Sequence, residues 1–431
     1  MERTYAQELP LLAGQRVRLN GWLQHRRELS NVTFVVLRDG TGTAQIAIPS
    51  GGADVLSALP NESAVEIVGT AVADARAPGG VEVRDVLISP ISPATAAPPF
   101  ELGRPSLDAA LPTLLDHAAV ALRHPPRRAA FRLMAVSVAA FRENLGAQGF
   151  TEVFTPKIVS SATESGANCF RLDYFGRVAY LAQSPQLYKQ MLVGVFERVF
   201  EVAPVFRAEP HDTPRHLNEY VSLDAEMGFI ADHRDVMAAL ERAVEAMARA
   251  VSGHRDTRDA GAGLPVQCAT PLPSLHFSDA LELLATEFGG AVRSDLDLAP
   301  AHERWLGEWA LREHGSDFVF VTGFPMAKRP FYTHPDPTRP SFSNSFDLLF
   351  RGLEVVTGGQ RLNRPEQYEA ALAARSIDPT PLAGYLEAFR FGMPPHGGFA
   401  LGIERWVQQL VGAKNLRETT LFPRDINRIL P

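Results

Sequence analysis

Residues 204–228 read PVFRAEPHDTPRHLNEYVSLDAEMG, and the interpretation of the whole chain turns on them. An apolar run, VFEVAPVF at 199–206, delivers Arg207 and Glu209 before the chain breaks at His211-Asp212-Thr213-Pro214. Arg215 and His216 follow, and a second run returns through Tyr220, Leu223 and Met227. Pro210 and Pro214 would interrupt a helix, because proline lacks an amide donor and its ring clashes with the preceding turn. Two strands joined by a loop fit the pattern instead. Side chains alternate along a strand, so Asp224 and Glu226 share a face of the return strand, which also carries Glu219. Two arginines, a histidine and three acids are expensive to bury unless a ligand completes their pairing. A polyanion with a metal, such as a nucleoside triphosphate, would do so. The plainer alternative is a surface hairpin with ordinary ion pairs, each worth little.

Beyond this stretch, 431 residues predict a small domain beside a large one, and 45% hydrophobic content is ordinary for a soluble globular protein. No apolar run reaches the 18 residues of a membrane span, so no membrane association is expected. The N-terminal MERTYAQELPLLAG lacks the basic-then-apolar order of a signal peptide. Cys169 and Cys268, the only cysteines, point to a reducing cytoplasm and away from a thiolate metal site. The net charge of −7 gives no sign of nucleic-acid binding, so any RNA surface has to be a local patch.

Residues 14–90 alternate apolar and polar positions in short runs, punctuated by Asp39-Gly40 and Gly79-Gly80. About five strands in so short a span predict a small barrel, with the OB fold as the leading candidate. Such barrels bind single-stranded nucleic acid by stacking bases on aromatics beside basic groups. Phe34, with Arg26, Arg27, Arg38 and Gln45 near it in sequence, offers that surface; a strand phenylalanine is otherwise a core residue. Residues 93–127 are rich in Pro and Ala and read as a hinge. This gives an α+β chain with a barrel at 1–92, a linker at 93–127 and a large domain at 128–431. In the large domain, Phe131, Met134, Val138, Phe141 and Leu145 fall at helical spacing, and the strand GFTEVFTPKIV follows. Residues 229–325 add helices and the core strand DFVFVTGFP, with no chemistry that the sequence supports.

Three further clusters carry polar chemistry. Glu164-Ser165-Gly166-Ala167 forms a glycine-containing loop able to close over a ligand, and QSPQLYKQ sets Ser184, Gln186 and Lys189 at the start of a helix. An acidic amino acid as ligand needs donors for two carboxylates, and Lys189 answers the side-chain one. Asp347, Glu354 and Thr357 supply oxygen ligands of the kind that suit Mg²⁺, which keeps waters and takes one or two carboxylates plus phosphate oxygens. Gly397, Gly398 and Gly402 allow close approach to a base, and Arg405 stands at the start of the following helix. His211 and His216, five apart in a proline-containing loop, match no zinc template.

Taken together, FRAE…RH.NEY..LD.E, LEVVTGGQR and GGFALGIER resemble the motifs of class II aminoacyl-tRNA synthetases of the aspartyl/asparaginyl subgroup, in the short archaeal-type form. GWLQHRREL…FVVLRD resembles the anticodon-binding barrel of that family, and LFPRDINRILP its C-terminus, so the resemblance runs from about 14 to 431. It implies an OB-fold barrel followed by a catalytic domain built on an antiparallel sheet flanked by helices. It implies attachment of L-aspartate to tRNA through aspartyl-adenylate, with ATP and Mg²⁺. Arg207, Glu209, Arg215, His216, Asp347, Glu354 and Arg405 would serve ATP, with Arg207, Arg405 and Glu354 catalytic. Asp347, Glu354 and Thr357 would hold the metal. Glu164, Ser184, Gln186, Lys189, Asp224 and Arg361 would bind aspartate. Gln24, Arg26, Phe34, Gln45 and Pro78 would face the anticodon. A homodimer through the helix and strand around Pro156 is implied as well.

Asparagine-specific relatives carry an acidic residue near the position of Lys189, which favours aspartate here; the intact barrel speaks against a tRNA-independent amide-forming ligase. A non-catalytic RNA-binding relative would lack Arg207, Glu354 or Arg405. The chain has no long insertion between the second and third motifs, as in short enzymes that charge both tRNA-Asp and tRNA-Asn. Relaxed specificity is therefore expected, although Gln24 stands where such enzymes often have His; the alternative is a discriminating enzyme acting on tRNA-Asp alone.

Overall fold

The computed structural model describes residues 1–49, 56, 58–160, 169–261 and 265–430. The chain forms two compact units, Met1–His124 and Pro125–Pro431. In the first unit β1 (Arg16–Glu28), β2 (Val32–Arg38), β3 (Thr43–Pro49), β4 (Ala64–Ala73) and β5 (Val81–Ser92) close into a barrel in the order β1-β2-β3-β5-β4. The β3–β5 pairing is parallel and the others antiparallel. Alternation puts Val17, Leu19, Val35, Leu37, Ile46, Ile48, Val65 and Ile67 inside. Closure is tight at Gly69, where a Cβ would lie 2.6 Å from Val83 and 2.8 Å from the Arg84 carbonyl. Residues 93–124 group with this unit, and Phe100, Leu102, Leu114 and Ala121 form a small buried cluster there.

In the second unit the strands are β6 (Thr151–Glu152), β7 (Ile158–Val159), β8 (Arg171–Tyr174), β9 (Arg177–Leu181), β10 (Arg198–Phe206), β11 (Glu219–Gly228), β12 (Ser274–His276), β13 (Phe318–Thr322), β14 (Ser345–Phe350), β15 (Leu353–Gln360) and β16 (His396–Gly402). An eight-stranded sheet runs β12-β13-β14-β15-β16-β11-β10-β6, and β7-β9-β8 form a small separate sheet. The six central strands of the large sheet are antiparallel. Parallel pairs at its two edges, β12–β13 and β10–β6, make it mixed.

The helices Pro125–Ala147, His233–Ser252 and Ile403–Val411 contribute to one core with the sheet through Phe141, Leu240, Val244 and Trp406. Phe318, Phe350 and Trp406 stack with centroids 4.5 and 4.9 Å apart along that series. Helices Phe277–Phe288 and Pro300–His314 share a second core with Val319, Val321 and Leu349, the intervening side chains of β13 and β14. The first long helix buries Leu133, Ser137, Phe141 and Leu145, whereas Phe131, Met134 and Val138 are half-buried. The expected stripe is thus rotated. Ser137 Oγ accepts from Trp406 Nε1 at 3.0 Å, and this buried polar contact brings inward a residue that a purely apolar pattern places outside.

Candidate active site

Strands β10 and β11 pair antiparallel from Arg198↔Met227 to Phe206↔Glu219, so the proline-rich stretch is the loop between them. Arg207 N donates to Asn218 O at 2.9 Å and closes its base. The Arg207 guanidinium lies 5.6 Å from the centroid of the Tyr220 ring. Within the loop Thr213 Oγ1 and His216 Nδ1 are 2.6 Å apart, and His216 Nε2 is 3.6 Å from Glu209 Oε2. Burial, together with Arg405 and Arg215 nearby, holds His216 below the ordinary imidazole range although Glu209 opposes this. Arg215 reaches out to Glu303 Oε2 at 2.8 Å.

These groups border a cavity of about 420 Å³ that also receives Glu354, Thr357 and Arg361 from β15 and its end, and Glu404 and Arg405 from the first turn of the Ile403–Val411 helix. Five arginines (Arg207, Arg215, Arg329, Arg361 and Arg405) line it. A site so furnished suits a ligand with several negative charges.

The β14–β15 hairpin explains how two carboxylates meet there. Asp347 faces Thr357 across the pair, and Leu348 faces Val356, but Leu349 faces Glu354, which leaves Val355 as an extra residue. In a regular strand residues three apart point to opposite faces. The bulge at Val355 restores Glu354 and Thr357 to one face, and Thr357 Oγ1 donates to Glu354 Oε1 at 2.8 Å. Arg405 Nη1 donates to the Glu354 carbonyl at 2.9 Å and lies 3.8 Å from Oε2.

Asp347 Oδ2 accepts from Arg329 at 3.0 Å, while its buried Oδ1 has no hydrogen-bond partner among the described residues. Burial, with Glu354 adding repulsion and Arg329 opposing, pushes Asp347 up to about 7. A divalent cation on Asp347 and Glu354 would engage that oxygen and offset the repulsion, so the residues fit Mg²⁺. Among the described residues no group of three or more His, Cys, Asp or Glu side chains forms a metal site of its own.

A second cluster of charge lies against the cavity wall. Lys189 and Asp224 are each 2% exposed at the side chain, and Lys189 Nζ donates to Asp224 Oδ1 at 3.0 Å and to Phe399 O at 3.1 Å. It is also 3.4 Å from Glu226 Oε2. Asp224 accepts from Ser222 Oγ. Arg361 Nε donates to Glu226 Oε1 at 3.0 Å, and its Nη2 to Gly398 O at 3.0 Å and Gln186 Oε1 at 3.4 Å. Burial alone would raise Glu226, but Arg361 and Lys189 outweigh it and hold the carboxylate below its usual range. Burial likewise works against the Arg361 cation, and Glu226 more than restores it.

Of the residues expected at the site, Arg207, Glu209, Arg215, His216, Gln186, Glu354, Thr357, Arg361 and Arg405 line the cavity. Lys189, Asp224 and Asp347 are buried and joined to lining residues through Glu226, Ser222 and Arg329. Ser184 is buried, its Oγ accepting from Gln186 N at 3.3 Å. Glu164 and its loop lie outside the described residues.

Sequence reasoning misses Ser222, Arg329, Glu303 and Glu404. It places Glu226 on the face of Asp224 by alternation but gives it no role in the site. Glu303 sits in the 229–325 region read as lacking chemistry; helix Pro300–His314 brings it to Arg215, a contact no local pattern reveals. Burial and the nearby Glu219 push Glu404 up to about 7, although its Oε1 accepts from Val221 N at 2.9 Å.

In the barrel Phe34 is half-buried between the buried Thr33 and Val35, and it lies outside the core cluster. Gln45 donates to Glu82 at 2.8 Å, and Pro78 is exposed in the turn before β5. Gln24 is buried and donates to Leu102 O at 3.1 Å; Arg26 donates to Leu56 O and Leu59 O at 2.6 and 3.0 Å. His211 and His216 pack ring against ring with centroids 5.3 Å apart.

A family model described as tRNA synthetases class II (D, K and N) matches residues 111–426, and one described as an OB-fold nucleic acid binding domain matches 17–85. The chain is 46% identical to an aspartate–tRNA(Asp/Asn) ligase of Deinococcus radiodurans, over 100% of this chain and 99% of the relative. It is 46% identical to the protein of the same description from Thermus thermophilus, over the full length of both. Among solved structures, asparaginyl-tRNA synthetase from Pyrococcus horikoshii complexed with asparaginyl-adenylate superposes with a TM-score of 0.91 at 31% identity, covering 100% of each chain.

Proposed function

The chain belongs to the class II tRNA synthetases (D, K and N), and from that membership we propose an aspartate–tRNA ligase of relaxed tRNA choice, acting on tRNA-Asp and tRNA-Asn. The attachment of aspartate to tRNA takes two steps. The α-carboxylate of aspartate attacks the α-phosphorus of ATP, and pyrophosphate leaves. The terminal ribose hydroxyl of tRNA then attacks the aspartyl carbonyl, and AMP leaves.

An anion attacking an anion needs charge neutralisation more than proton transfer. Arg207 neutralises the α-phosphate, while Arg215, His216 and Arg405 take the β- and γ-phosphates. Glu209 holds the adenine edge. Mg²⁺ on Asp347 and Glu354, beside Thr357, supplies further positive charge when bound. Lys189 and Arg361 receive the two carboxylates of aspartate, and Ser184, Gln186 and Asp224 orient it; Glu164 belongs to the loop that covers it. Phe34, with Arg26, Gln45 and Pro78, forms the anticodon surface, while Gln24, expected there, is buried.

One observation carries this reading: the arginines from the β10–β11 loop, β15 and the last helix converge on a single cavity backed by the Lys189–Asp224–Glu226 cluster. The relatives' description supports relaxed tRNA choice. A homodimer through the Pro125–Ala147 helix and the segment around Pro156 follows from the same reading, and the exposed Phe154 and Ile158 beside Pro156 support it. The use of only two cysteines, Cys169 and Cys268, supports a cytoplasmic enzyme.

The test is aminoacylation of purified tRNA-Asp and tRNA-Asn with labelled aspartate. Charging of both confirms the proposal; charging of tRNA-Asp alone assigns strict specificity. Charging of neither overturns the function.

A further inference from the structure

Behind Arg361 and Glu226 lies a polar network that the two-step reaction does not use. Gln190, the residue after Lys189 on the Gln186–Phe196 helix, is fully buried, as are Tyr368 and His396, and Tyr385 is 4% exposed. The side-chain atom placed as Gln190 Oε1 lies 3.0 Å from Tyr368 Oη, 2.9 Å from Tyr385 Oη and 3.2 Å from His396 Nε2. The other end of the amide, placed as Nε2, is buried and makes no hydrogen bond among the described residues.

An amide's oxygen and nitrogen occupy equivalent positions, so the partners decide which is which. An oxygen facing the three groups would have to accept from three donors while the NH2 donated to none. The three groups, however, have other acceptors for their protons. Tyr385 can donate to Tyr368 Oη at 2.9 Å, Tyr368 to Leu362 O at 2.9 Å, and His396 Nδ1 to Pro394 O at 3.0 Å. With those bonds made, two phenolic oxygens and an imidazole nitrogen are left facing Gln190 as acceptors. They need donors, and the NH2 group supplies two N–H bonds to share among the three.

We propose that Gln190 is a positioning residue for aspartate recognition: its NH2 group, turned to Tyr368, Tyr385 and an unprotonated His396 Nε2, locks the helix carrying Lys189 to the segment carrying Arg361. The lock acts on both cations. Arg361 N donates to His396 O at 2.9 Å, Arg361 Nη2 to Gly398 O at 3.0 Å and Lys189 Nζ to Phe399 O at 3.1 Å, so the start of β16 registers one against the other. The inference rests on the reading of Lys189 and Arg361 as the aspartate-binding cations.

The charged groups facing His396 are Glu226 and Arg361, with Tyr368 and Tyr385 reached through Gln190. Burial holds the imidazole below its ordinary range against the pull of Glu226, which agrees with a neutral ring. A proton on Nε2 would set donor against donor and open the lock.

Two measurements test this. Neutron diffraction from the intact wild-type protein should show a deuteron on His396 Nδ1 and none on Nε2; a deuteron on Nε2 overturns the arrangement. In steady-state pyrophosphate exchange, Gln190→Glu and Gln190→Met should each raise the aspartate KM about tenfold, with the ATP KM within about twofold of wild type. The aspartate KM of Gln190→Glu, but not of Gln190→Met, should also vary with pH between about 6 and 8, since a carboxylate there stabilises protonated His396. An unchanged aspartate KM, or an equal rise in the ATP KM, overturns the positioning role. Absence of aspartate-dependent exchange in the wild type would instead sink the functional reading and leave the neutron result standing.

Discussion

Lys189 holds two buried acids in place, so its loss is felt in stability as well as binding. Substituting methionine keeps the volume and removes the charge, which takes from Asp224 the ammonium 3.0 Å away and leaves Glu226 paired with Arg361. Breaking a buried pair in this way costs about 3–5 kcal/mol. Urea unfolding of Lys189→Met should show a loss of that order, and aspartate-dependent exchange should disappear. Asp347 behaves in the opposite sense. Burial raises it to about 7, above the ordinary carboxylate value of about 4 for the unfolded chain. The folded protein therefore holds a proton that the unfolded chain has released, and stability falls as pH rises through that window. Unfolding midpoints in the presence of a chelator should drop between about pH 4 and 7 in the wild type, and the drop should be smaller in Asp347→Asn. Affinity at the proposed metal site would have the reverse slope, because a carboxylate ligand must be deprotonated. Calorimetric titration with Mg²⁺ should show tighter binding at the higher pH together with proton release.

At the scale of elements, β11, β15 and β16 meet where Gly398 lies. A Cβ on Gly398 would run into the Ala225 carbonyl and the Glu226 carboxylate at once. Gly398→Ala should cost about 1–3 kcal/mol of stability, as overpacking does, and should displace Glu226 from Arg361. The aspartate KM should rise more than the ATP KM in pyrophosphate exchange. The pair β10–β11 was legible in the sequence because two prolines excluded a helix, and strand alternation placed Asp224 beside Glu226 correctly. The burial of Ser137 was not legible, since only its partner Trp406, 269 positions away, makes an inward serine favourable. Glu303 was hidden for the same reason, with its partner Arg215 88 positions back along the chain.

For the molecule as a whole, the proposed division of labour between the two units is one that kinetics can separate. Phe34→Ala should weaken tRNA charging by about 1–3 kcal/mol, the worth of one base stacked on an aromatic ring. Adenylate formation, followed as pyrophosphate exchange, should be unchanged. The architecture itself was readable: a barrel ahead of a helix-flanked sheet follows from strand spacing and from the motif strings. What sequence does not contain is the convergence of distant cations. Arg207 and Arg405 are separated by most of the second unit, and each has an unremarkable local setting until β11 and β16 pair.

The extra residue at Val355 imposes a rule of parity on its hairpin. Point changes along β14 and β15 can be absorbed one side chain at a time, but removing a single residue there would turn Glu354 toward the opposite surface of the sheet, away from Thr357. Chain length between Asp347 and Thr357 is therefore held fixed more strictly than composition, and lineages of this hairpin should drift in spelling while keeping their count.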